Sequence, residues 1–313
     1  MKTHTMTFAA FAAASLLGVS AYAGPGTTKP MKPVAETMSD SCITGDIGFD
    51  VVSEYITKGQ VQQNQGFIIQ PYADLHFRIA KNVGAIDSIT VDLGIWNSMH
   101  AHSDIGGRGT TAHWYEFDFK SGLTFNVAKF AISPYFIIYE SPSDAFRSAY
   151  AIGLNLAYDD STLLGAFALH PYIFGELNVQ GTTGDGFRHT GSGNTFRINP
   201  ANGQYFEAGI APGHSFGDLT LTLPIKAGFG SGNEYAFNRA FGYFSVGADA
   251  AYALSFVPKC LGTWSVHAGV AYYRLGSGAA YTAAPFGRTD GMGNVLPGDK
   301  NQVVFQGGMK VAF

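Results

Sequence analysis

The residues of this chain best placed to do chemistry are carboxylates that alternate with apolar residues. Eleven acids and five bases fall on the polar face of two-residue repeats, so that face carries net negative charge. Carboxylates around a wet interior would attract cations, whereas paired acids and bases would form a closed, plug-like network, and both interpretations stay open. Twelve are candidates for selecting solutes, namely Asp50, Glu54, Asp74, Asp92, Glu116, Asp118, Glu176, Glu207, Asp249, Arg78, Arg147 and Lys226; the others are Asp46, Glu140, Lys120 and Lys310.

No spacing of side chains predicts catalysis. A lipid hydrolase would use a His-x-Ser arrangement, in which the imidazole activates the hydroxyl. His214 and Ser215 are adjacent, which is the wrong separation for that chemistry. We therefore expect neither an enzyme nor a bound cofactor.

A histidine-rich stretch offers a metal-binding alternative. Imidazoles two residues apart on an extended chain share a side, so His100 and His102 could hold a transition metal. Asp104 and His113 lie close by in the sequence and could complete the ligand set. Glycines in the same stretch favour a solvated loop, and we predict no metal site.

Apolar and polar residues alternate with a period of two almost throughout, which is typical of β-strands. Twelve segments carry the pattern over about 10 to 15 residues, a length that suits tilted strands crossing a bilayer. We predict an all-β fold, a transmembrane antiparallel up-and-down β-barrel of about twelve strands. Ten or fourteen would follow if the segment at Pro134 or Pro212 is misassigned. A soluble β-sandwich also alternates, but it would not need such apolar outward faces.

Aromatic residues contribute strongly to the predicted outward faces. Near strand ends they would form the girdles that transmembrane barrels place at the membrane interfaces. The first, fourth, fifth and seventh segments place on their outward faces, among others, Tyr55, Tyr115, Tyr135, Ile137, Tyr139, Phe167, Leu169 and Ile173.

The lengths of the connections predict the topology. Connections after even-numbered strands are short, near Asn82, Ala128, Asp160, Gly217 and Lys259. Those after odd-numbered strands include long stretches at about residues 99–112, 180–203, 230–240 and 276–299. In outer-membrane barrels the short turns face the periplasm, so we predict that both termini are periplasmic.

The N-terminal region predicts export. Lys2 precedes an apolar run from Phe8 to Ala21, and Ala21-Tyr22-Ala23 forms an A-x-A cleavage site before Gly24. We assign residues 1–23 to a signal peptide and residues 24–42, rich in Pro, Thr, Lys and Gly, to a flexible periplasmic leader. Residues 43–313 would form the outer-membrane barrel.

The C-terminal segment predicts barrel closure. Val303, Phe305, Met309, Val311 and the terminal Phe313 share one face, with polar or small residues on the other. This ending resembles the C-terminal signature of Gram-negative outer-membrane proteins. The resemblance implies that the barrel assembly machinery recognises Phe313 and that outer-membrane lipid surrounds the barrel.

Three motifs in the first third of the mature chain resemble a known family. Ser53-Glu54-Tyr55-Ile56-Thr57-Lys58-Gly59 is similar to the S-x-Y-x-x-R-G opening strand of the TorF-like porin family of Gram-negative outer-membrane β-barrel proteins, with Lys58 in place of Arg. Residues 94–98 resemble the following G-x-W-x-S strand, and residues 114–118 its acidic next strand. The resemblance implies a porin-like barrel and no particular ligand.

The two cysteines allow two interpretations. Cys42 precedes the first strand and Cys260 lies in a tight turn, so the predicted topology puts both at the periplasmic rim. A disulfide between Cys42 and Cys260 would suit the oxidising periplasm. Two free thiols would result if their Cα atoms lie more than about 7 Å apart.

Two functional hypotheses follow. The first is a porin-like channel for passive diffusion of ions or small polar solutes, with cation preference set by the acidic interior. The alternative is a closed structural or adhesive barrel that presents long external loops. Nucleic acid is an improbable partner, because the net charge is -4 and no basic cluster is visible.

Overall fold

A computed structural model describes residues 41–101, 113–180, 202–232, 234–283, 290 and 296–313. The predicted signal peptide and most of the predicted leader lie outside these residues, as do His102 and Asp104. No helix among the described residues is both long enough and apolar enough to cross a bilayer.

The described chain is built from sixteen strands. They are β1 (Ile43–Val52), β2 (Tyr55–Thr57), β3 (Gln60–Gln63), β4 (Ile68–Val83), β5 (Ile86–His100), β6 (Trp114–Val127), β7 (Phe130–Glu140), β8 (Ala149–Tyr158), β9 (Tyr172–Gln180), β10 (Gln204–Ile210), β11 (Gly213–Phe216), β12 (Leu219–Thr222), β13 (Ile225–Ser231), β14 (Phe241–Ala253), β15 (Thr263–Leu275) and β16 (Asn301–Ala312). A helix, α1 (Ser161–Leu164), and four short 3₁₀ turns complete the elements.

The strands close into a barrel whose wall has twelve antiparallel strands, two of which are interrupted. The ladder runs β1-β4-β5-β6-β7-β8-β9-β10-β13-β14-β15-β16 and returns to β1, so the wall closes on itself; among the described strands of the wall only β11 pairs on one side alone, with β12. β10 and β11 together form one interrupted strand of the wall, and β12 and β13 form another. The interruptions occur at Pro212 and Pro224, because proline lacks the N–H that an unbroken ladder needs. The predicted twelve-stranded transmembrane β-barrel is confirmed.

The predicted weak strand at Pro134 is intact. β7 runs without a break through Pro134, although the β6–β7 ladder skips Ser133 and Pro134. Pro134 faces outward, where its missing donor needs no polar partner from the interior. The twelve-strand count is therefore retained over ten or fourteen.

The barrel has two unlike ends. At the short-turn end, the connections include Gly84-Ala85, Ala128-Lys129 and Gly217-Asp218, and this end also carries Ser41 and Phe313. At the long-loop end, the connections follow β1, β5, β7, β9, β13 and β15. One short connection was underestimated: residues 159–171 contain α1 and a 3₁₀ turn, so Phe167 and Leu169 precede β9 and do not lie in a strand as predicted.

The outer surface is a belt of exposed apolar side chains. Predicted outward residues such as Ile47, Ile152, Ile173, Phe206 and Phe305 are each about half exposed. Their neighbours along each strand point inward, as the two-residue period requires.

Three predicted faces are wrong. Tyr55 is buried in β2, inside the barrel, and Tyr115 points inward because a bulge in the β5–β6 ladder occurs beside it. In β7 the two faces are reversed, so Tyr135, Ile137 and Tyr139 face the interior while Phe136 faces outward. Both faces of β7 are apolar, and the tyrosine hydroxyls decide between them because they need hydrogen-bond partners.

One inward glycine tests how tightly the interior is packed. A Cβ at Gly153 would lie 2.1 Å from Cζ of Tyr135, whose hydroxyl is held by Glu176. We expect Gly153→Ala to lower the free energy of unfolding by about 1–3 kcal/mol, because the ring cannot move aside without losing that bond. Urea unfolding of the chain in phospholipid vesicles measures the change.

The control is Gly175→Ala. A Cβ at Gly175 meets only the ring of Phe206, at 3.5 Å, which is an ordinary contact on the outward face. Its effect should stay within about 0.5 kcal/mol. Equal losses in the two variants would contradict the packing of Tyr135 across Gly153.

Candidate functional site

A hairpin formed by β2 and β3 fills part of the barrel interior. It arises from residues 53–67, which connect β1 to β4 at the long-loop end, and it forms a sheet separate from the wall. Tyr55 and Val61 are fully buried. We call residues 55–63 the inner hairpin. The sequence motif that resembles an opening strand therefore lies in the inner hairpin and does not form a strand of the wall.

The tip of the inner hairpin is a two-residue turn. Lys58 and Gly59 both have positive φ, 49° and 77°, as a type I′ turn requires. Gly59 is also required sterically, because a Cβ there would lie 2.5 Å from Cδ1 of Tyr243. The turn thus packs against Tyr243 of the wall and points the Lys58 side chain toward Glu176.

The wall holds the inner hairpin through hydrogen bonds to its tyrosine and glutamine side chains. The hydroxyl of Tyr55 donates to Oε2 of Glu116 at 2.6 Å, and the hydroxyl of Tyr115 donates to Oε1 of Gln62 at 2.8 Å. Rings reinforce these bonds, since Tyr55 packs on Trp96 with centroids 5.4 Å apart. Polar and aromatic contacts thus hold the inner hairpin inside the barrel, and the chain joins it to β1 and β4.

Two other connections also fold inward and contact the inner hairpin. In the connection after β13, the hydroxyl of Tyr235 donates to the carbonyl of Lys58 at 2.7 Å, and the carbonyl of Glu234 accepts from Gln60 at 3.0 Å. In the connection after β15, Oγ1 of Thr282 accepts from the Val61 amide at 2.7 Å. Three segments therefore occupy the long-loop half of the interior together.

Glu176 is the centre of the contacts made at the tip of the inner hairpin. Its carboxylate forms a salt bridge with the ammonium of Lys58 and accepts hydrogen bonds from Tyr135 at 3.0 Å and Tyr139 at 2.9 Å. The Lys58 nitrogen also lies over the rings of Tyr139 and Tyr205, 5.1 and 5.6 Å from their centroids. The ammonium therefore sits in a cage of one carboxylate and two aromatic faces.

A second carboxylate, Glu207, gathers three tyrosines. Tyr172 donates to Oε1 and Tyr205 to Oε2, each at 2.6 Å, and Tyr243 also donates to Oε2. Charged and hydroxyl groups share the buried volume here, so the charge of Glu207 is partly satisfied without a base.

Other acids on the wall pair with imidazole or amide side chains. Asp50 hydrogen-bonds His267, and Oδ1 of Asp92 lies 2.7 Å from Nδ1 of His76. Oδ1 of Asp249 accepts from Gln306 at 2.8 Å. Acids thus line the barrel from one end to the other.

The structure gathers most of the predicted selectivity residues in the interior. Those on inward faces of the wall are Asp50, Asp74, Asp92, Glu116, Asp118, Glu176, Glu207, Asp249 and Lys226, and Arg78 lies near the short-turn rim, where it donates to the carbonyl of Ser41. Their role in selecting solutes stays a prediction.

Two predicted lining residues lie elsewhere. Glu54 is half-buried in the connection that leads into the inner hairpin. Arg147 is exposed in the connection between β7 and β8, so its prediction as an inward strand residue is wrong. The chain leaves the wall after Glu140, where the amide of Asp144 donates to the carbonyl of Ser141 and forms a turn.

Two glutamates in the connections have strongly shifted acidities. Burial, together with the nearby charge of Asp299, raises the pKa of Glu54 to about 7. Burial also raises the pKa of Glu234 to about 7, while the ammonium of Lys58 opposes that shift. A second positive charge near Glu234 would favour its ionised form.

Neither the disulfide nor the histidine group is assembled in the described part of the chain. Cys42 and Cys260 are exposed, free thiols, so the alternative of two unpaired cysteines holds. The imidazole of His100 hydrogen-bonds Ser98 at 2.8 Å and stacks on Tyr115. Among the described residues no group of three or more His, Cys, Asp or Glu could hold a metal.

Sequence reasoning missed the residues that organise this interior. Alternation identifies neither Lys58 nor Glu234, and it places the interior tyrosines of β7 on the outward face. A usable signal was present, because Lys58-Gly59 between two short polar-apolar alternations is a hairpin turn.

Comparisons with known proteins identify no family for this chain. No family model and no curated protein matches the chain. An outer-membrane channel from Pseudomonas putida F1 is similar at 9% identity and a TM-score of 0.44, over 87% of this chain and 95% of that one. The NanC porin is similar at 9% identity and a TM-score of 0.41, over 85% of this chain and 98% of that one. The transport unit of the autotransporter AIDA-I from Escherichia coli is similar at 11% identity and a TM-score of 0.41, over 90% of this chain and 93% of that one. Likeness at this level does not identify a ligand for this chain.

The Tyr55 hydroxyl provides a test of how the inner hairpin is held. Tyr55→Phe removes the donor to the buried carboxylate of Glu116, which should weaken docking by about 1–3 kcal/mol. We expect amide hydrogen exchange in residues 55–63 to accelerate roughly tenfold or more, as measured by mass spectrometry of the folded barrel.

Tyr150→Phe is the matched control. Tyr150 faces outward and stacks on Phe136, so loss of its hydroxyl should leave exchange in the inner hairpin unchanged. Unchanged exchange in Tyr55→Phe as well would show that the bond to Glu116 does not hold the inner hairpin.

Proposed function

We propose that this chain is a bacterial outer-membrane channel for passive diffusion of ions or small polar solutes, closed at rest by its inner hairpin. The barrel itself and its apolar outer belt support a location in outer-membrane lipid, since exposed hydrocarbon of this extent is costly in water. On the same proposal, the short-turn end and both termini face the periplasm.

One observation carries the channel function: carboxylates line the interior along its whole length. Asp46 and Asp249 lie toward the short-turn end of their strands, whereas Glu116 and Asp118 lie toward the long-loop end and Glu176 lies at the middle of β9. A barrel that served only as a scaffold could fill this volume with hydrocarbon, which costs no desolvation of charge. The excess of acids supports a preference for cations.

The way the inner hairpin is held supports gating. Its contacts are hydrogen bonds, ring contacts and one salt bridge, each of which can break and re-form. Val52 and Ile68 already pair across the β1–β4 ladder, so the wall stays closed when the hairpin leaves the interior. Opening therefore requires undocking and no rearrangement of the barrel.

The remaining partners follow from the same proposal. Phe313 pairs with Gly45 through two backbone hydrogen bonds of 2.9 Å at the seam, and its exposed ring is available to the barrel assembly machinery. Membership of the TorF-like porin family is proposed from the three sequence motifs.

A closed structural or adhesive barrel is the second candidate. It is favoured by the three connections that fold into the long-loop half, because Glu234, Ala236 and Ala280 are completely buried there. In that case the interior network would serve rigidity, and the long connections would contact an external partner.

Removal of the inner hairpin separates the two candidates. Replacing residues 54–66 by Asn-Gly joins Ser53 to Phe67 through a two-residue turn next to the existing Val52–Ile68 pair. We expect roughly a fivefold or larger rise in single-channel conductance in planar bilayers, with a reversal potential that shows cation preference.

The control replaces the Gly84-Ala85 turn by Asn-Gly at the short-turn end, which should leave conductance at the wild-type level. Silence of the hairpin-deleted barrel at high protein load would reject the channel and favour the structural barrel. Conduction with anion preference would reject the role of the acidic interior.

A further inference from the structure

We propose that the cage around the Lys58 ammonium is a binding site for the ammonium group of a small primary amine, which Lys58 occupies in the resting barrel. This inference rests on the proposed function, because a solute reaches the cage only if the barrel admits solutes. It adds the class of solute and the residue that competes with it.

The cage has the composition that recognises an ammonium group. The Glu176 carboxylate accepts from a charged donor, and its orientation is fixed by the hydroxyls of Tyr135 and Tyr139. The faces of Tyr139 and Tyr205 supply the remaining contacts at distances that suit a cation above a ring. A free alkylammonium would make the same contacts as the Lys58 side chain.

The cage carries more negative charge than one ammonium neutralises. Glu234 is fully buried and acts electrostatically on Lys58, yet its Oε1 has no hydrogen-bond partner among the residues that the structure describes. Asn178 satisfies only Oε2, at 3.1 Å. Asp118 also attracts Lys58, and Lys120 is the other base that interacts with Glu176. Three carboxylates, Glu176, Glu234 and Asp118, thus favour a cation at this position, whether Lys58 or a soluble primary amine supplies it.

The backbone at Lys58 indicates that its side chain is there for its charge. The first position of a type I′ turn favours Asn or Gly, and a lysine held at φ 49° adopts a conformation that L-residues disfavour. The turn would form more easily without Lys58, so the contact with Glu176 offsets a local cost.

Lys58 belongs to the inner hairpin, which can undock, and not to the wall. The cage residues Tyr139, Glu176 and Tyr205 belong to β7, β9 and β10, whereas Lys58 sits at the tip of the inner hairpin. A soluble amine that takes the place of the Lys58 ammonium would therefore release the tip while leaving the cage intact. Binding of solute and undocking of the inner hairpin are coupled by competition for one site.

Lys58→Asn tests the site, since Asn suits the turn and is too short to reach Glu176. We expect isothermal titration of the refolded full chain with n-propylammonium chloride to give a Kd roughly tenfold or more tighter than that of the wild type. Adding Glu176→Gln to this variant should abolish the gain. Lys58→Gly, which also suits positive φ, provides a second vacated cage, and heat-modifiable gel mobility verifies that each barrel is folded.

Two controls define the specificity. Lys129→Asn removes an exposed lysine in a short turn and should leave the affinity at the wild-type level. Tetramethylammonium has the same charge and no N–H donor, so it should bind the Lys58→Asn variant roughly tenfold more weakly than n-propylammonium. Equal binding of the two cations would overturn the assignment to a primary amine.

The wild-type chain tests the competition. Saturating n-propylammonium should accelerate hydrogen exchange in residues 55–63 of the wild type and not of Glu176→Gln. Equal affinities of folded wild type and Lys58→Asn, or a gain that survives Glu176→Gln, would overturn the site even if the barrel conducts. Amine binding to a barrel that stays silent in bilayers after removal of residues 54–66 would instead reject the channel and leave the site standing.

Discussion

Hydrogen bonding between tyrosine hydroxyls and buried carboxylates is the interaction on which the interior depends. Glu176 and Glu207 are both nearly inaccessible to solvent, and the bases of the interior are too few to pair with every acid. Phenolic donors stabilise the charges without adding cations, and their rings fill the space between strands. The interior thereby remains negative and well packed at the same time, which a simple network of salt bridges would not achieve.

The wall of the barrel could be predicted from the sequence because it obeys one local rule. Two-residue alternation, the order of short and long connections and the apolar final strand each report on neighbouring residues, and together they define twelve strands. The rule fails where both faces are apolar, as in β7, and where a bulge changes the register, as beside Tyr115. In those places the partners that decide orientation are distant in sequence and invisible to a periodicity.

The candidate site could be predicted only in part for the same reason. The inward acids were identified from alternation, whereas Lys58 and Glu234 lie in connections, where no period applies. Their positions depend on contacts 118 and 174 residues away in the chain, between Lys58 and Glu176 and between Gln60 and the Glu234 carbonyl. Arg147 shows the converse, because alternation extended back beyond the start of β8 places an exposed loop residue inside.

The pairing of Val52 with Ile68 has a consequence for biogenesis. The wall can pair completely without residues 53–67, whereas the full set of contacts of the inner hairpin needs strands as late as β10 and the connection that carries Thr282. Docking of the inner hairpin can therefore be completed only after the wall has formed, and under the proposed channel function the barrel would admit solutes during that interval.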